Sequence, residues 1–229
     1  PSLKKAGGGF MSCPGQKNYL KEINAPKLEK LGDNALQFAE CLEKIYMPNV
    51  KSIGTFSFEL NHLVELDLPN LESLGNFFMS HNNSLKILNV PKLPHIPKSM
   101  LKNNYTLEHV FLPSAKKIET NFLPYNKVLK SFIAPNVKEI EEGTILTNGY
   151  NKLPNLEHIS LSDEVIVDYW VFLGKTINNL NYFFREKKYY ANVIPQNKIK
   201  VGNIEGKEEI NQLQKMLSES QKKVKKIEK

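Results

Sequence analysis

Leu63-Val64-Glu65-Leu66-Asp67-Leu68-Pro69 decides the fold, because its pattern returns along most of the 229 residues. With the first leucine as position zero, copies start at Leu20, Leu42, Leu63, Leu85, Leu107 and Leu129, at spacings of 22, 21, 22, 22 and 22 residues. A fixed period of this size means that each copy is one turn of a stacked repeat. Position three is Ile23, Ile45, Leu66, Leu88, Val110 and Phe132, and position five is Ala25, Met47, Leu68, Val90, Leu112 and Ala134. Proline follows at position six every time, as Pro26, Pro48, Pro69, Pro91, Pro113 and Pro135. Alternation of positions three and five has the strand period, and the proline then removes a backbone donor. Each copy therefore predicts a short strand that stops at its proline.

A second apolar pair follows each proline: Leu28 and Leu31, Val50 and Ile53, Leu71 and Leu74, Leu93 and Ile96, Ala115 and Ile118, Val137 and Ile140. Gly32, Gly54 and Gly75 come next, where a turn with positive φ costs glycine little. Copies close on polar stretches such as His81-Asn82-Asn83-Ser84 and Lys102-Asn103-Asn104, whose Asn side chains suit tight turns by bonding nearby backbone. Leu3, Ala6 and Gly7 align with Leu28, Leu31 and Gly32, so the chain is expected to start inside a repeat, as a processed or truncated piece. No signal peptide is present in the residues given.

The hydrophobic share of 41% and charged share of 24% are those of a folded soluble protein, and no apolar run is long enough to span a membrane. The net charge of +7 is uneven. Residues 185–229 carry 12 Lys and Arg against 6 Glu, leaving 19 against 18 in residues 1–184. A nearly neutral body argues against a nucleic-acid groove in the repeats. Two cysteines, Cys13 and Cys41, are too few for a disulfide framework and are expected as buried thiols.

Beyond Leu129 the period loosens. Leu156, Ile159 and Leu161 form a seventh copy with Ser162 in place of proline, after a loop expected at residues 147–152, and Leu180 and Phe183 suggest a weaker eighth. Aromatic residues crowd the tract from Tyr169 to Tyr190, which is expected to cap the stack. Residues 191–205 read as irregular. Ile210, Leu213, Leu217, Val224 and Ile227 then fall at heptad a and d sites of an amphipathic basic helix.

The combined pattern Leu-x-x-Ile-x-Leu-Pro-x-x-Leu-x-x-Ile-Gly, best kept in Leu42 to Leu60 with Cys41 before it, resembles the BspA-like leucine-rich repeats of bacterial and protist surface proteins. Pro97, Glu119 and Glu141 depart from it by replacing the glycine. The resemblance implies an α/β fold, a leucine-rich-repeat right-handed solenoid of short strands and short helical or 3-10 turns, to which the heptad pattern adds a C-terminal helix. The expected divisions are the solenoid at 1–184, a linker or cap at 185–205 and the helix at 206–229. It also implies a non-catalytic protein-binding module, secreted or on a bacterial surface, engaging a host or neighbouring-cell protein. The alternative is the recognition portion of a larger secreted, host-delivered effector enzyme whose catalytic domain lies outside this chain.

If positions zero, three and five face the core, positions two and four face outward. One column then reads Glu22, Lys44, Glu65, Ile87, His109, Ser131, His158 and Tyr182, the other Asn24, Tyr46, Asp67, Asn89, Phe111, Ile133, Ser160 and Phe184. Ile87, Phe111 and Ile133 are expected to form one exposed apolar patch, an ordinary mark of a contact surface. Tyr46, Glu65, Asp67, Ile87, His109, Phe111, Ile133 and His158 are accordingly the candidate partner-binding residues. No catalytic, cofactor or metal set emerges. His62, His81, His95, His109 and His158 lack ligand spacing, and Glu65 with Asp67 reads as a solvated acidic edge rather than an acid and base pair. Sequons at Asn82 and Asn104 read as chance in an Asn-rich chain. Lys222, Lys223, Lys225 and Lys226 make a solvated helix face, with membrane contact or self-association through 206–229 as alternatives.

Overall fold

The computed structural model describes residues 3–12, 19–141, 158–162, 166–167 and 180–181. Its strands, numbered in chain order and all paired in parallel, alternate between two ladders. The front ladder holds β2 (Glu22–Asn24), β4 (Lys44–Tyr46), β6 (Glu65–Asp67), β8 (Ile87–Asn89), β10 (His109–Phe111), β12 (Ser131–Ala134), β14 (His158–Leu161) and β16 (Leu180–Asn181). The side ladder holds β1 (Lys5–Ala6), β3 (Lys30–Leu31), β5 (Ser52–Ile53), β7 (Ser73–Leu74), β9 (His95–Ile96), β11 (Lys117–Ile118), β13 (Glu139–Ile140) and β15 (Ile166–Val167). Each front strand is centred on or reaches position three of its copy, and equivalent positions pair, as Ile23 with Ile45 and Ile45 with Leu66. Leu42, Ile45 and Met47 are buried, as are Val50 and Ile53 of the same copy. One side chain of this size removed from water is worth about 2 kcal/mol, repeated in every coil.

The third leg of each coil contains no helix among the described residues, which corrects the expectation of helical or 3-10 turns. It is a string of turns with two left-handed residues four apart: Asn34 and Phe38, Phe56 and Leu60, Phe77 and His81, Ser99 and Asn103, Asn121 and Tyr125, with φ between 53° and 68°. Left-handed residues interrupt any right-handed helical run, and for Phe or Leu they are strained. Cross-coil bonding offsets that strain. Phe56, Phe58 and Leu60 donate their N–H groups to the carbonyls of Asn76, Phe78 and Ser80, and the same alternation recurs along the stack. Phe56 also stacks on Phe77 with centroids 4.6 Å apart.

Asn61, Asn82, Asn104 and Asn126 line this leg from inside. Their amides do not serve only nearby turns: each Nδ2 donates to a carbonyl one coil back, namely those of Leu36, Phe58, Met79 and Leu101. Asn82 and Asn104 are fully buried and their amide nitrogens committed, so the folded chain leaves neither sequon open to modification.

Glycine has another reason than the expected one. Gly32, Gly54 and Gly75 are not among the positive-φ residues. They are needed because coils nearly touch there: a Cβ on Gly75 would lie 2.3 Å from the Thr55 nitrogen and 2.6 Å from the Gly54 carbonyl carbon. Gly75→Ala is expected to cost about 2 kcal/mol through overpacking, read as a lower urea midpoint.

Both ladders are interrupted at one joint, between β6 and β8 and between β7 and β9. Elsewhere on the side ladder, residues such as Glu72 and Lys116 donate to the preceding coil, as do Gly75 and Glu119. Pro94 and Pro97 occupy those two places beside β9 and have no N–H to give. Leu66 and Leu74 are correspondingly half-buried, where Ile45, Leu88, Ile53 and Ile96 are buried. The turn leg crosses the joint unbroken, with Phe77, Met79 and His81 donating to Lys98, Met100 and Lys102. Pro94→Lys with Pro97→Gly restores two donors, so a gain of about 1 kcal/mol and slowed amide exchange at 94–97 are expected.

The seventh copy pairs as expected, with Ile159 opposite Phe132 and Leu161 opposite Ala134. The eighth is shifted. Leu180 lies opposite Ile159 and Asn181 opposite Ser160, so Leu180 fills position three, 21 residues on, and the second column reaches Asn181 where Phe184 was expected. Cys41 is half-buried and free rather than buried. Cys13, the 147–152 loop, the aromatic cap, the 185–205 segment and the 206–229 helix contain expectations that lie outside the described residues.

Candidate functional site

Registers place the candidate residues on two separately bonded parts of the front ladder. On β2, β4 and β6 one row is Glu22, Lys44 and Glu65, and the next is Asn24, Tyr46 and Asp67. On β8 to β14 the rows are Ile87, His109, Ser131 and His158, then Asn89, Phe111, Ile133 and Ser160. Tyr46, Glu65 and Asp67 are thus grouped together, and Ile87, His109, Phe111, Ile133 and His158 form a second group across the joint.

The two groups differ in access. Glu22, Asn24 and Lys44 are exposed, Tyr46 and Asp67 half-buried, and Lys44 Nζ stands 3.7 Å from Glu22 Oε1 in a solvated pair of small energetic weight. Ile87, Asn89 and His109 are also half-buried. Beyond them the face is closed: Phe111 and Ile133 are register partners as expected, yet only 4% and 8% exposed, and Ser131 is fully buried. The expected open apolar patch is therefore reduced to Ile87 beside His109.

His109 Nδ1 lies 2.7 Å from Ser131 Oγ, a pairing one coil apart that its column position alone could have signalled. A hydroxyl beside an imidazole is the start of a nucleophile arrangement, but burial closes this one to substrate. It satisfies a buried hydroxyl instead. Nearby, the Lys130 ammonium bonded to Glu108 at 2.5 Å holds that carboxyl below the usual carboxylate range. Among the described residues no group of three His, Cys, Asp or Glu is arranged to hold a metal ion. The accessible part of these rows among the described residues is a strip of mixed polarity from Glu22 to His109.

The family model for the BspA type leucine-rich repeat region matches residues 29–150 in six copies. Among solved structures, a leucine-rich repeat protein from Bacteroides ovatus is similar at 13% identity and a TM-score of 0.38, covering 72% of this chain and 66% of its own. The pneumococcal vaccine antigen PcpA is similar at 17% identity and a TM-score of 0.32, covering 81% and 66% respectively. The chain thus spans slightly less than two thirds of either protein. No curated protein matches it.

Proposed function

From the premise that this chain belongs to the BspA-type leucine-rich repeat family, which is typical of protein-interaction modules, we propose that it binds a protein through the outward face of its front ladder. The observation that carries this reading is the accessible strip: exposed Glu22, Asn24 and Lys44 border half-buried Tyr46, Asp67, Ile87 and His109. An amphipathic aromatic beside charged groups of both signs is the composition of a contact surface. Glu65 and His158 share its rows by register, as do Phe111 and Ile133, which are buried. The family resemblance supports a place on a bacterial surface or in secretion, and a partner on a host or neighbouring cell. The chain acts there as a non-catalytic recognition module.

Tyr46→Ala with Ile87→Ser tests the face without touching a fully buried residue. Cross-linking to candidate host or neighbouring cells should identify a captured protein, and the double variant should bind it at least about tenfold more weakly with an unchanged thermal midpoint. Lys51→Glu, on an exposed position of the side ladder's coil, should leave binding intact. Equal binding by the double variant, or equal loss in the control, overturns the proposal.

A further inference from the structure

The joint between the coils of Leu63 and Leu85 interrupts more than the two ladders. Each coil runs from front strand through its proline corner to side strand and then turn leg, so the proline corner lies opposite the turn leg. Side chains tie that corner between neighbouring coils. Asn49 and Asn70 donate their amides to the carbonyls of Pro26 and Pro48, and Ser114 and Asn136 donate in the same way to those of Pro91 and Pro113. At the joint the place is taken by exposed Lys92, whose Nζ reaches Asn70 Oδ1 at 2.6 Å instead of the Pro69 carbonyl. The front edge changes as well. Glu43, Val64, Glu108 and Lys130 donate their N–H groups to the carbonyls of Lys21, Glu43, Lys86 and Glu108, a series that skips Lys86 as a donor.

We infer that this joint is a hinge: residues 20–84 and 85–141 form two blocks that swing about the turn leg, opening and closing the proline corner between them. The axis lies where bonding is continuous. Besides the three turn-leg bonds already described, the Asn82 N–H donates to Asn104 Oδ1 at 3.1 Å and the Tyr105 N–H to Asn83 Oδ1 at 3.3 Å, both across the joint. On the opposite side Pro94 and Pro97 have no N–H to give. The bond of Lys92 is exposed, held by a long flexible stem and weakened by water. Half-buried Leu66 and Leu74 show that the core closes least tightly here. A continuous strap facing weak contacts fixes the direction of the motion as well as its place.

The hinge divides the front face between its two groups. Tyr46 and Asp67 ride on one block, Ile87 and His109 on the other, and the hinge angle sets the distance between them. A protein that contacts both groups selects one angle from those the free chain samples. That consequence rests on the proposed binding at the outward face. The hinge itself does not, and its test needs no partner, so either can fail while the other stands.

Two pairs of spin labels on the full chain, in a background of Cys13→Ser and Cys41→Ser, provide the test. Glu29→Cys with Lys116→Cys reports on the side ladder, and Glu40→Cys with Lys127→Cys on the turn leg. All four residues are exposed, and each pair spans four coil steps across the joint, about 19 Å by strand spacing. Double electron–electron resonance is expected to give a distance distribution about twice as wide for the first pair as for the second. Pro94→Lys with Pro97→Gly should narrow the first to the width of the second, by supplying donors to the carbonyls of Glu72 and Leu74, the equivalents of Lys51 and Ile53 one coil back. Lys92→Asn, whose short amide repeats that of Asn70, should narrow it as well and serves where the proline variant fails to fold. Equal widths for the two pairs with the joint unaltered, or a first-pair width that neither set of substitutions narrows, would overturn the inference.

Discussion

Replacing Phe111 and Ile133 together by Ser is expected to cost about 6 kcal/mol, comparable with the whole stability of a typical domain. Each side chain looks outward by register, so alternation alone predicts a harmless surface change. Burial reverses that expectation, since the residues are 4% and 8% exposed and a serine hydroxyl would replace packed apolar volume at both. Urea unfolding followed by far-ultraviolet circular dichroism checks it. A loss below about 2 kcal/mol would mean that the two side chains are not packed as the structure has them. The Tyr46 and Ile87 pair, being half-buried, is the appropriate probe of binding for the same reason.

Asn104→Ala is expected to cost about 4 kcal/mol. The amide of Asn104 donates to the Met79 carbonyl at 2.9 Å and to the Lys102 carbonyl at 3.3 Å, and its Oδ1 accepts the Asn82 N–H at 3.1 Å. Lys102 keeps the His81 N–H as a second partner, so the variant orphans the Met79 carbonyl and the Asn82 amide and leaves a small cavity. Asn126→Ala should cost less. Its Oδ1 is already buried without a hydrogen-bond partner, so no donor is orphaned when it goes. Chemical denaturation of the two variants side by side measures the difference, and equal losses would remove the special role of the Asn82 to Asn104 link.

Much of the architecture is legible because periodicity and strand geometry are coupled. Leu63, Leu66 and Leu68 inform a reader of strand, core face and register at once, and Pro69 of where the strand stops. The seventh copy is readable on the same grounds, whereas in the eighth the 21-residue spacing from Ile159 makes Leu180 position three and not the start that leucine spacing alone suggests. The turn leg was not legible. Phe56, Leu60 and Phe77 are poor candidates for left-handed backbone, and only the neighbouring coils' carbonyls make that conformation worthwhile. Nor did spacing distinguish a glycine chosen for φ from one chosen for close approach, as at Gly75. For the candidate face, alternation gives direction but not cover, which is why Tyr46 and Phe111 share a column and differ in access.

The paired prolines also have a mechanical meaning. Force applied along the axis of the stack is shared by three columns of hydrogen bonds through most coils, but between the coils of Leu63 and Leu85 it falls on the turn column and the contacts around it. The protein should therefore yield there first under tension, parting β6 and β7 from β8 and β9 while the coils on either side stay wound.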